Sequence, residues 1–246
     1  MALGIMAGPG GAPELLASQD WRVPGQAMRF LAPAMDSLLS RLDIAPKDLG
    51  GIACVRGPGS FTGLRLALAT VRGLAGTLSI PTAGLDHLHV LALEAAPFAP
   101  REHTLWVLTY ARSSMVYFQP FAIESDESGP EPRPLGEPRA ARVAEALAVI
   151  ASIPGPRALA GGGAHRNRKQ IEEALAAPET IFLPEILNTP RGETLLLAAS
   201  RAEYSLEPVE PLYLRASDAE DNLERIAEAR GLDPDQARKR FNELTS

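Results

Sequence analysis

The segment from Arg56 to Arg65, RGPGSFTGLR, limits the fold most strongly, because it joins an apolar strand pattern to a helical pattern through three glycines. Residues 51–55 form a short apolar run typical of a buried strand, and residues 62–78 have helical periodicity. Glycines at the junction let the backbone bend sharply and approach another group closely. This order of strand, turn and helix predicts an α/β protein whose sheets are covered by helices.

The same segment fails the spacing of three known site motifs. A P-loop needs a lysine after its last glycine, but Gly63 is followed by Leu64 and Arg65. The dinucleotide motif GxGxxG is one residue shorter than the spacing found here, and Ser60 lacks the two glycines of a GxSxG nucleophile elbow. Two interpretations stay open: a tight turn in which Ser60 or Thr62 caps the helix, and an anion site at the helix N-terminus.

The helix after this turn is rich in small residues. They fall on two sides, with Gly63, Ala67 and Thr70 on one and Ala69, Gly73 and Gly76 on another. Each interior glycine costs about 1 kcal/mol relative to alanine, so a close neighbour is expected to compensate. That neighbour is either the chain's own sheet or a helix of a partner, and the spacing does not distinguish them.

Other segments give the rest of the predicted order. A hairpin is predicted over residues 3–21, and a helix over residues 26–42, in which Pro33 is expected to cause a kink. The remaining predictions are a turn at 81–84, a helix at 86–95 capped by Asp86, a strand pair at 104–109 and 115–123, an exposed loop at 125–138, helices at 140–150 and 166–176, and a short strand at 158–160.

Composition narrows the function classes. The net charge of −6 argues against a large basic surface, so any nucleic-acid role is expected to pass through a partner. The single cysteine, Cys54, excludes an internal disulfide and a multi-cysteine metal site, and its apolar neighbours predict a buried strand position. No apolar run approaches the ~20 residues that span a bilayer, and the start does not resemble a signal peptide. We therefore expect a cytoplasmic protein without a membrane contact.

The histidines do not form a metal motif. The four are His87, His89, His103 and His165, and no HExxH pattern is present. His87 and His89 fall in a predicted helix, where residues two apart point in different directions. The sequence thus predicts no metal site, no cofactor and no catalytic residue.

Several motifs together resemble the TsaB (YeaZ) family, which is peptidase M22-like. The residues that carry the resemblance are Arg56, Gly57, Pro58, Gly59, Ser60, Phe61, Thr62, Gly63 and Arg65, followed by LALATVRGLA. Weaker matches follow in the same order: residues 80–85, 111–117, 189–193 and 211–215. The resemblance covers roughly residues 20 to 215, and the GPGSFTG block is its most specific part.

The resemblance implies a two-lobed ASKHA fold, as in actin-like ATPases and sugar kinases. Its lobes would be residues 1–98 and 99–216, with a charged helical extension at 217–246. It also implies a non-catalytic subunit that binds TsaD, the threonylcarbamoyltransferase, with TsaE and tRNA joining through that complex. In the family the first two helices contact TsaD or a second copy; the corresponding docking residues here are Met28, Leu31, Met35, Gly63, Ala67, Thr70 and Gly73.

Three positions depart from the family pattern. The usual first strand, ILAIDTS, is missing before the hairpin, a His-Ser pair is replaced by Ala27-Met28, and the DAR motif begins with Tyr110. We expect either that the true start lies upstream or that this homologue has lost a nucleotide contact.

Two enzymatic alternatives are weighed against the scaffold. An ASKHA-type phosphotransferase needs an acidic residue that would sit in the missing strand, and an M22-type metallopeptidase needs histidine ligands in a metal-binding spacing. Residues 161–163, three glycines, offer either an adenosine-side turn or a flexible connection. Both enzymes are disfavoured because these catalytic groups are missing.

Overall fold

The computed structural model describes residues 2–5, 13–21, 26–112, 114–126, 129–175, 179–214 and 233. Residues 1–212 make up one compact unit, and residues 213–246 make up a second. Apart from residue 233, the predicted extension at 217–246 lies outside the described residues. The boundary between two lobes at residues 98 and 99 stays a prediction.

The first part of the chain alternates strands and helices. Its elements are β1 (Ala2–Ile5), β2 (Glu14–Ser18), α1 (Ala27–Ser40), β3 (Ile52–Gly57), α2 (Phe61–Leu78), β4 (Thr82–Asp86) and α3 (His87–Ala95). Strands β1 and β2 pair antiparallel, which confirms the predicted hairpin, and β3 pairs in parallel with β4. Within the described residues these are two separate two-stranded sheets. Helix α1 continues through Pro33 without interruption.

The prediction of a turn at residues 81–84 is wrong, because these residues begin strand β4. Thr82, Ala83 and Gly84 pair with Ile52, Ala53 and Cys54 of β3. Ala83 and Gly84 have little intrinsic preference for a strand, and the pairing partner lies 30 residues earlier in the chain. Local sequence therefore carries little signal for this strand.

The second part of the chain builds a larger sheet. Its elements are β5 (Thr104–Arg112), β6 (Met115–Asp126), β7 (Gly129–Pro134), β8 (Arg139–Arg142), α4 (Val143–Ser152), β9 (Arg157–Ala160), α5 (Gly162–Arg166), α6 (Arg168–Ala174), β10 (Thr180–Phe182) and α7 (Gly192–Ser200). The strands run in the order β10, β9, β5, β6, β7, and β8 also pairs with β6. The antiparallel β5–β6 pair confirms the predicted strand pair.

The prediction of an exposed loop at residues 125–138 is also wrong in part, because Gly129–Pro134 forms β7 beside β6. Its prolines, Pro130, Pro132 and Pro134, occupy alternate positions and so share one side of the strand. Their missing N–H groups therefore interrupt only one edge, and Glu131 and Arg133 remain available to bond with β6. This arrangement is the one in which an edge strand accepts prolines.

The core includes two apolar clusters. Trp106 and Phe118 of the large sheet pack with residues of α4, α5 and α6, such as Ile150 and Ile171. The second cluster joins Leu85 and the α3 and α7 helices. None of the described helices combines the length and the apolar character needed to cross a bilayer.

Two of the three glycines at 161–163 allow the start of α5 to pack closely against the backbone of β5. A Cβ at Gly161, where φ is +97°, would overlap the carbonyl oxygen of Leu108, and one at Gly163 would lie 2.7 Å from the carbonyl carbon of Thr109. A Cβ at Gly162 would meet no heavy atom of the described residues within 4 Å. The interpretation as a flexible connection is therefore wrong, because two of the three glycines are required by close backbone packing.

Gly161→Ala and Gly162→Ala form a matched pair that tests this packing. We expect Gly161→Ala to lower the free energy of unfolding by about 2–4 kcal/mol, since it combines an unfavourable φ with a backbone clash. Gly162→Ala should leave it unchanged or raise it by up to about 1 kcal/mol. Urea unfolding of both variants measures the difference, and equal stabilities would contradict the assigned packing.

Candidate docking surface

The glycine-rich turn begins with an ion pair between neighbouring strands. Arg56, near the end of β3, donates from Nε to Oδ1 of Asp86 at the end of β4, over 2.7 Å. This contact raises the pKa of the Arg56 guanidinium, chiefly through the hydrogen bond. Asp86 is the residue before α3, as predicted, but its side chain makes no capping hydrogen bond. Its carboxylate bonds to Arg56, so the predicted capping role is wrong.

The next residue, Gly57, brings the late part of the chain against the turn. The backbone N–H of Leu212 donates to the Arg56 carbonyl over 2.8 Å. Gly57 has a φ of +127°, and a Cβ there would lie 2.7 Å from the Leu212 carbonyl oxygen. Glycine is required at this position both by the backbone angle and by the contact with Leu212.

His87, at the start of α3, contacts the turn through a hydrogen bond. Its Nδ1 lies 3.1 Å from the carbonyl oxygen of Pro58, and since a carbonyl only accepts, Nδ1 carries the proton and donates. Burial lowers the pKa of His87 below its usual value, and the bond to Pro58 offsets part of this effect. The neutral ring is therefore the form that this contact uses near neutral pH.

Ser60 ends the turn and caps α2. Its Oγ accepts from the Gly63 backbone N–H at 3.5 Å, and its carbonyl accepts from the Leu64 N–H at 2.8 Å. The Arg65 guanidinium lies over the Phe61 ring, 4.0 Å from its centroid. The interpretation as a capped turn is confirmed, with the Ser60 hydroxyl as the cap.

Helix α2 turns one face to the core and another to solvent. Leu64 and Ala75 are buried, and α2 packs against β3. The exposed residues of α2 include Thr62, Arg65, Ala69, Arg72, Gly73 and Gly76. We call these six residues the α2 arc.

The two interior glycines of the α2 arc point into open space. A Cβ at Gly73 or Gly76 would meet no heavy atom of the described residues within 4 Å. Packing on the chain's own sheet therefore does not require glycine at either position. Of the two neighbours that the sequence left open for these glycines, the chain's own sheet is therefore not the one that requires them.

The predicted docking residues occupy different parts of this region. Gly63 and Gly73 are exposed, whereas Ala67 and Thr70 are half-buried along the flank of α2, where the Thr70 hydroxyl donates to the Leu66 carbonyl. In α1, Leu31 and Met35 are half-buried, and the side chain of Met28 lies outside the described part.

Sequence reasoning missed an aromatic pair next to α1. The Trp21 side chain is 57% exposed, and its ring centroid lies 5.8 Å from that of Phe30 in α1. A large exposed aromatic side chain is a common anchor in protein interfaces. The sequence does contain a signal for this contact, because Trp21 is one of only two tryptophans and lies just before an amphipathic helix.

The His87 and His89 rings have different neighbours. His87 bonds to Pro58, whereas the His89 ring lies 5.9 Å from the Phe121 ring. Over the part of the chain that the structure describes, no group of three or more His, Cys, Asp or Glu side chains is arranged to hold a metal ion.

Comparison with known proteins identifies relatives over most of the chain. A family model described as TsaD, tRNA N6-adenosine threonylcarbamoyltransferase, matches residues 26–222. The tRNA threonylcarbamoyladenosine biosynthesis protein TsaB of Bacillus subtilis (strain 168) is 26% identical over 191 residues, 76% of this chain and 79% of that protein. A tRNA N6-adenosine threonylcarbamoyltransferase of Nitratidesulfovibrio vulgaris (strain DP4) is 37% identical over 67 residues, which cover 27% of this chain but only 19% of that protein.

A solved structure supports the same fold. YeaZ from Pseudomonas aeruginosa superimposes with a TM-score of 0.62 at 24% identity, covering 82% of this chain and 93% of that one. The α/β, ASKHA-type fold and the resemblance to TsaB (YeaZ) proteins, both predicted from the sequence, are confirmed.

His87→Asn tests the support of the turn through its pH dependence. Because burial lowers the His87 pKa in the folded state, the unfolded chain binds a proton below pH ~6.5 that the folded chain does not. As the pH is lowered below that value, the free energy of unfolding should therefore decrease, by up to about 1.4 kcal/mol per pH unit for this residue.

His87→Asn preserves an N–H donor near Pro58 and removes the titration. We expect the loss of stability between pH 7.5 and 5.5, measured by urea unfolding, to become smaller than in the unmodified chain. Burial also lowers the pKa of His89, so part of the loss should remain. An unchanged loss in His87→Asn would contradict the assignment.

Proposed function

Because the chain belongs to the tRNA N6-adenosine threonylcarbamoyltransferase (TsaD) family, as one of its TsaB-like members, we propose that it works in making threonylcarbamoyladenosine in tRNAs. Its role in this proposal is that of a non-catalytic scaffold that binds TsaD. TsaE and tRNA join through that complex, in the cytoplasm. The observation that carries the proposal is the α2 arc, whose glycines face outward directly after the GPGSFTG turn.

The α2 arc supports a helix-docking role because its composition suits close approach. Gly73 and Gly76 each cost the isolated helix about 1 kcal/mol relative to alanine, and neither has a close contact with the described residues that would offset this cost. Such a cost is offset when a partner backbone lies against the glycine. The arc also carries two cations, Arg65 and Arg72, and α2 contains no acidic residue. A partner helix with small and acidic residues would complement it in shape and charge.

The polar groups of the turn support a structural role for the motif. Ser60 caps α2, Arg56 bonds to Asp86, and the Pro58 carbonyl accepts from His87. Each of these contacts fixes the direction in which α2 leaves β3. In this proposal the motif positions the docking helix, and the chemistry of transfer belongs to TsaD.

In this proposal the predicted docking residues of α1 and α2 contact the same partner. Leu31 and Met35 of α1 supply apolar contact area, Gly63 and Gly73 permit close approach, and the exposed Trp21 extends the surface beyond α1. The same surface would also serve a second copy of this chain when TsaD is absent.

Gly73→Leu tests the docking role. A leucine there projects into open space in the free chain, so the fold should be retained, but it would collide with a partner backbone. We expect binding to TsaD, measured by titration calorimetry, to weaken roughly 5- to 150-fold, the equivalent of a 1–3 kcal/mol packing defect. When it is added to an extract depleted of the chain, the variant should also restore less of the modified adenosine in tRNA than the unmodified chain does.

Ala148→Leu is the matched control, because Ala148 is an exposed small residue on another helix, α4. It should bind TsaD normally. Equal binding by both variants would contradict the α2 arc as the contact. Phosphoryl or peptide turnover by the isolated chain that disappears in Ser60→Ala would contradict the non-catalytic role.

A further inference from the structure

A second exposed surface lies on the large sheet, away from the turn in sequence. The guanidinium carbon of Arg166 lies 4.2 Å from the centroid of the Tyr110 ring, and the Tyr110 side chain is 43% exposed. The tight packing of Gly161 and Gly163 on β5 fixes α5 against this strand, so Arg166 reaches Tyr110 from a fixed helix. The result is a planar cation positioned over an aromatic ring at the protein surface.

A surface pocket of about 310 Å³ adjoins this pair. It is lined by Arg166, Asn167, Lys169, Gln170 and Glu173. The lining combines two cations, one carboxylate and two amide side chains, and the amides both donate and accept hydrogen bonds. The Asn167 amide nitrogen donates to the Gly163 carbonyl over 2.8 Å, which orients that side chain.

The region is positively charged in a chain whose net charge is −6. The segments that meet at this end of the sheet, residues 110–112, 114–115, 139–145 and 162–174, carry six cations: Arg112, Arg139, Arg142, Arg166, Arg168 and Lys169. They carry three carboxylates: Glu145, Glu172 and Glu173. Glu172 bonds to Arg168 over 2.7 Å, and the Glu145 carboxylate accepts from the Arg142 backbone N–H. The lining of the pocket itself carries the two cations Arg166 and Lys169 and one carboxylate, Glu173, so its net charge is positive.

We propose that the surface formed by Tyr110, Arg166, Asn167, Lys169 and Gln170 binds RNA, with phosphates on the two cations and an unstacked base beside the guanidinium plane. Single-stranded RNA is recognised by stacking on aromatic rings and arginine planes, together with hydrogen bonds to base edges and contacts to phosphates. All three types of group are present here within one pocket and its rim. An acidic protein surface would use the cations but would not need the stacked plane or the amides.

This inference rests on the proposed function, because the RNA it concerns is the tRNA of the modification complex. It adds a direct tRNA contact to a subunit that otherwise meets tRNA only through its partner. The surface belongs to the second part of the chain, whereas the docking surface belongs to α1 and α2. One chain would then bind the transferase with one surface and the tRNA with the other.

The double variant Arg166→Gln and Lys169→Gln tests the surface in the assembled complex with TsaD. We expect tRNA binding at 0.15 M salt, measured by fluorescence anisotropy, to weaken roughly tenfold. The slope of log affinity against log salt should decrease by about 1.5, since each lost phosphate contact removes about 0.7–0.9. The matched control is Lys47→Gln with Arg101→Gln, which removes the same charge from two other exposed cations. It should leave affinity and slope nearly unchanged.

The outcomes separate this inference from the proposed function. If the double variant binds TsaD normally but loses tRNA affinity, the RNA surface is supported. If it retains tRNA affinity and slope, or loses TsaD binding instead, the inference is wrong and the surface is inert or contacts protein.

If the unmodified chain does not bind TsaD, the proposed function fails, and binding of a 12-nucleotide single-stranded RNA to the chain alone becomes the test. A loss of that binding only in the double variant supports the surface, and no binding overturns it.

Discussion

The arrangement of the first two sheets depends on one buried carboxylate, that of Glu94 in α3. Its side chain is 1% exposed and accepts from both the backbone N–H and the Nε of Arg191, at 3.0 and 2.7 Å, and from the Thr194 hydroxyl. A buried charge is tolerated only when such bonds satisfy it, and removing its partners typically costs 3–5 kcal/mol. Glu94 therefore fixes the start of α7 against α3. The same helix then packs on both two-stranded sheets, close to Gly4 of β1 and in the cluster with Leu85 of β4.

This constraint extends through α3 to the candidate docking surface. The helix that carries Glu94 near its end carries His87 at its start, and His87 donates to Pro58 in the turn. The turn is thus supported by α3 from one side and by Leu212 from another. Helix α2 has a rigid base, while its outer arc lacks contacts to the described residues at Gly73 and Gly76. A rigid base with an uncommitted outer face suits docking, because little conformational entropy is lost on binding.

The sequence predicted the elements whose signals are local and missed those that depend on distant partners. The strand before the turn, helix α2 and the hairpin follow from apolar periodicity and turn residues. Strand β4 has a weak local preference for strand structure and forms through its pairing with β3. Strand β7 contains three prolines, which are compatible with a strand because they lie on the side that does not pair with β6. At the site, small residues marked α2 as unusual, but only the structure shows that Gly73 faces outward and that Ala67 and Thr70 lie on the flank.

Glycine illustrates why composition alone could not assign these surfaces. Gly161 and Gly163 are required because the backbone of β5 lies where their side chains would be, whereas Gly73 and Gly76 face open space. In the sequence both groups are glycines within or next to a helical segment, and composition does not tell them apart. The geometry separates them: the first group is explained completely by contacts within the chain, and the second by none among the described residues. A helix that accepts the cost of interior glycines without a contact among the described residues suits the docking role proposed for α2, in which a partner lies against Gly73 and Gly76.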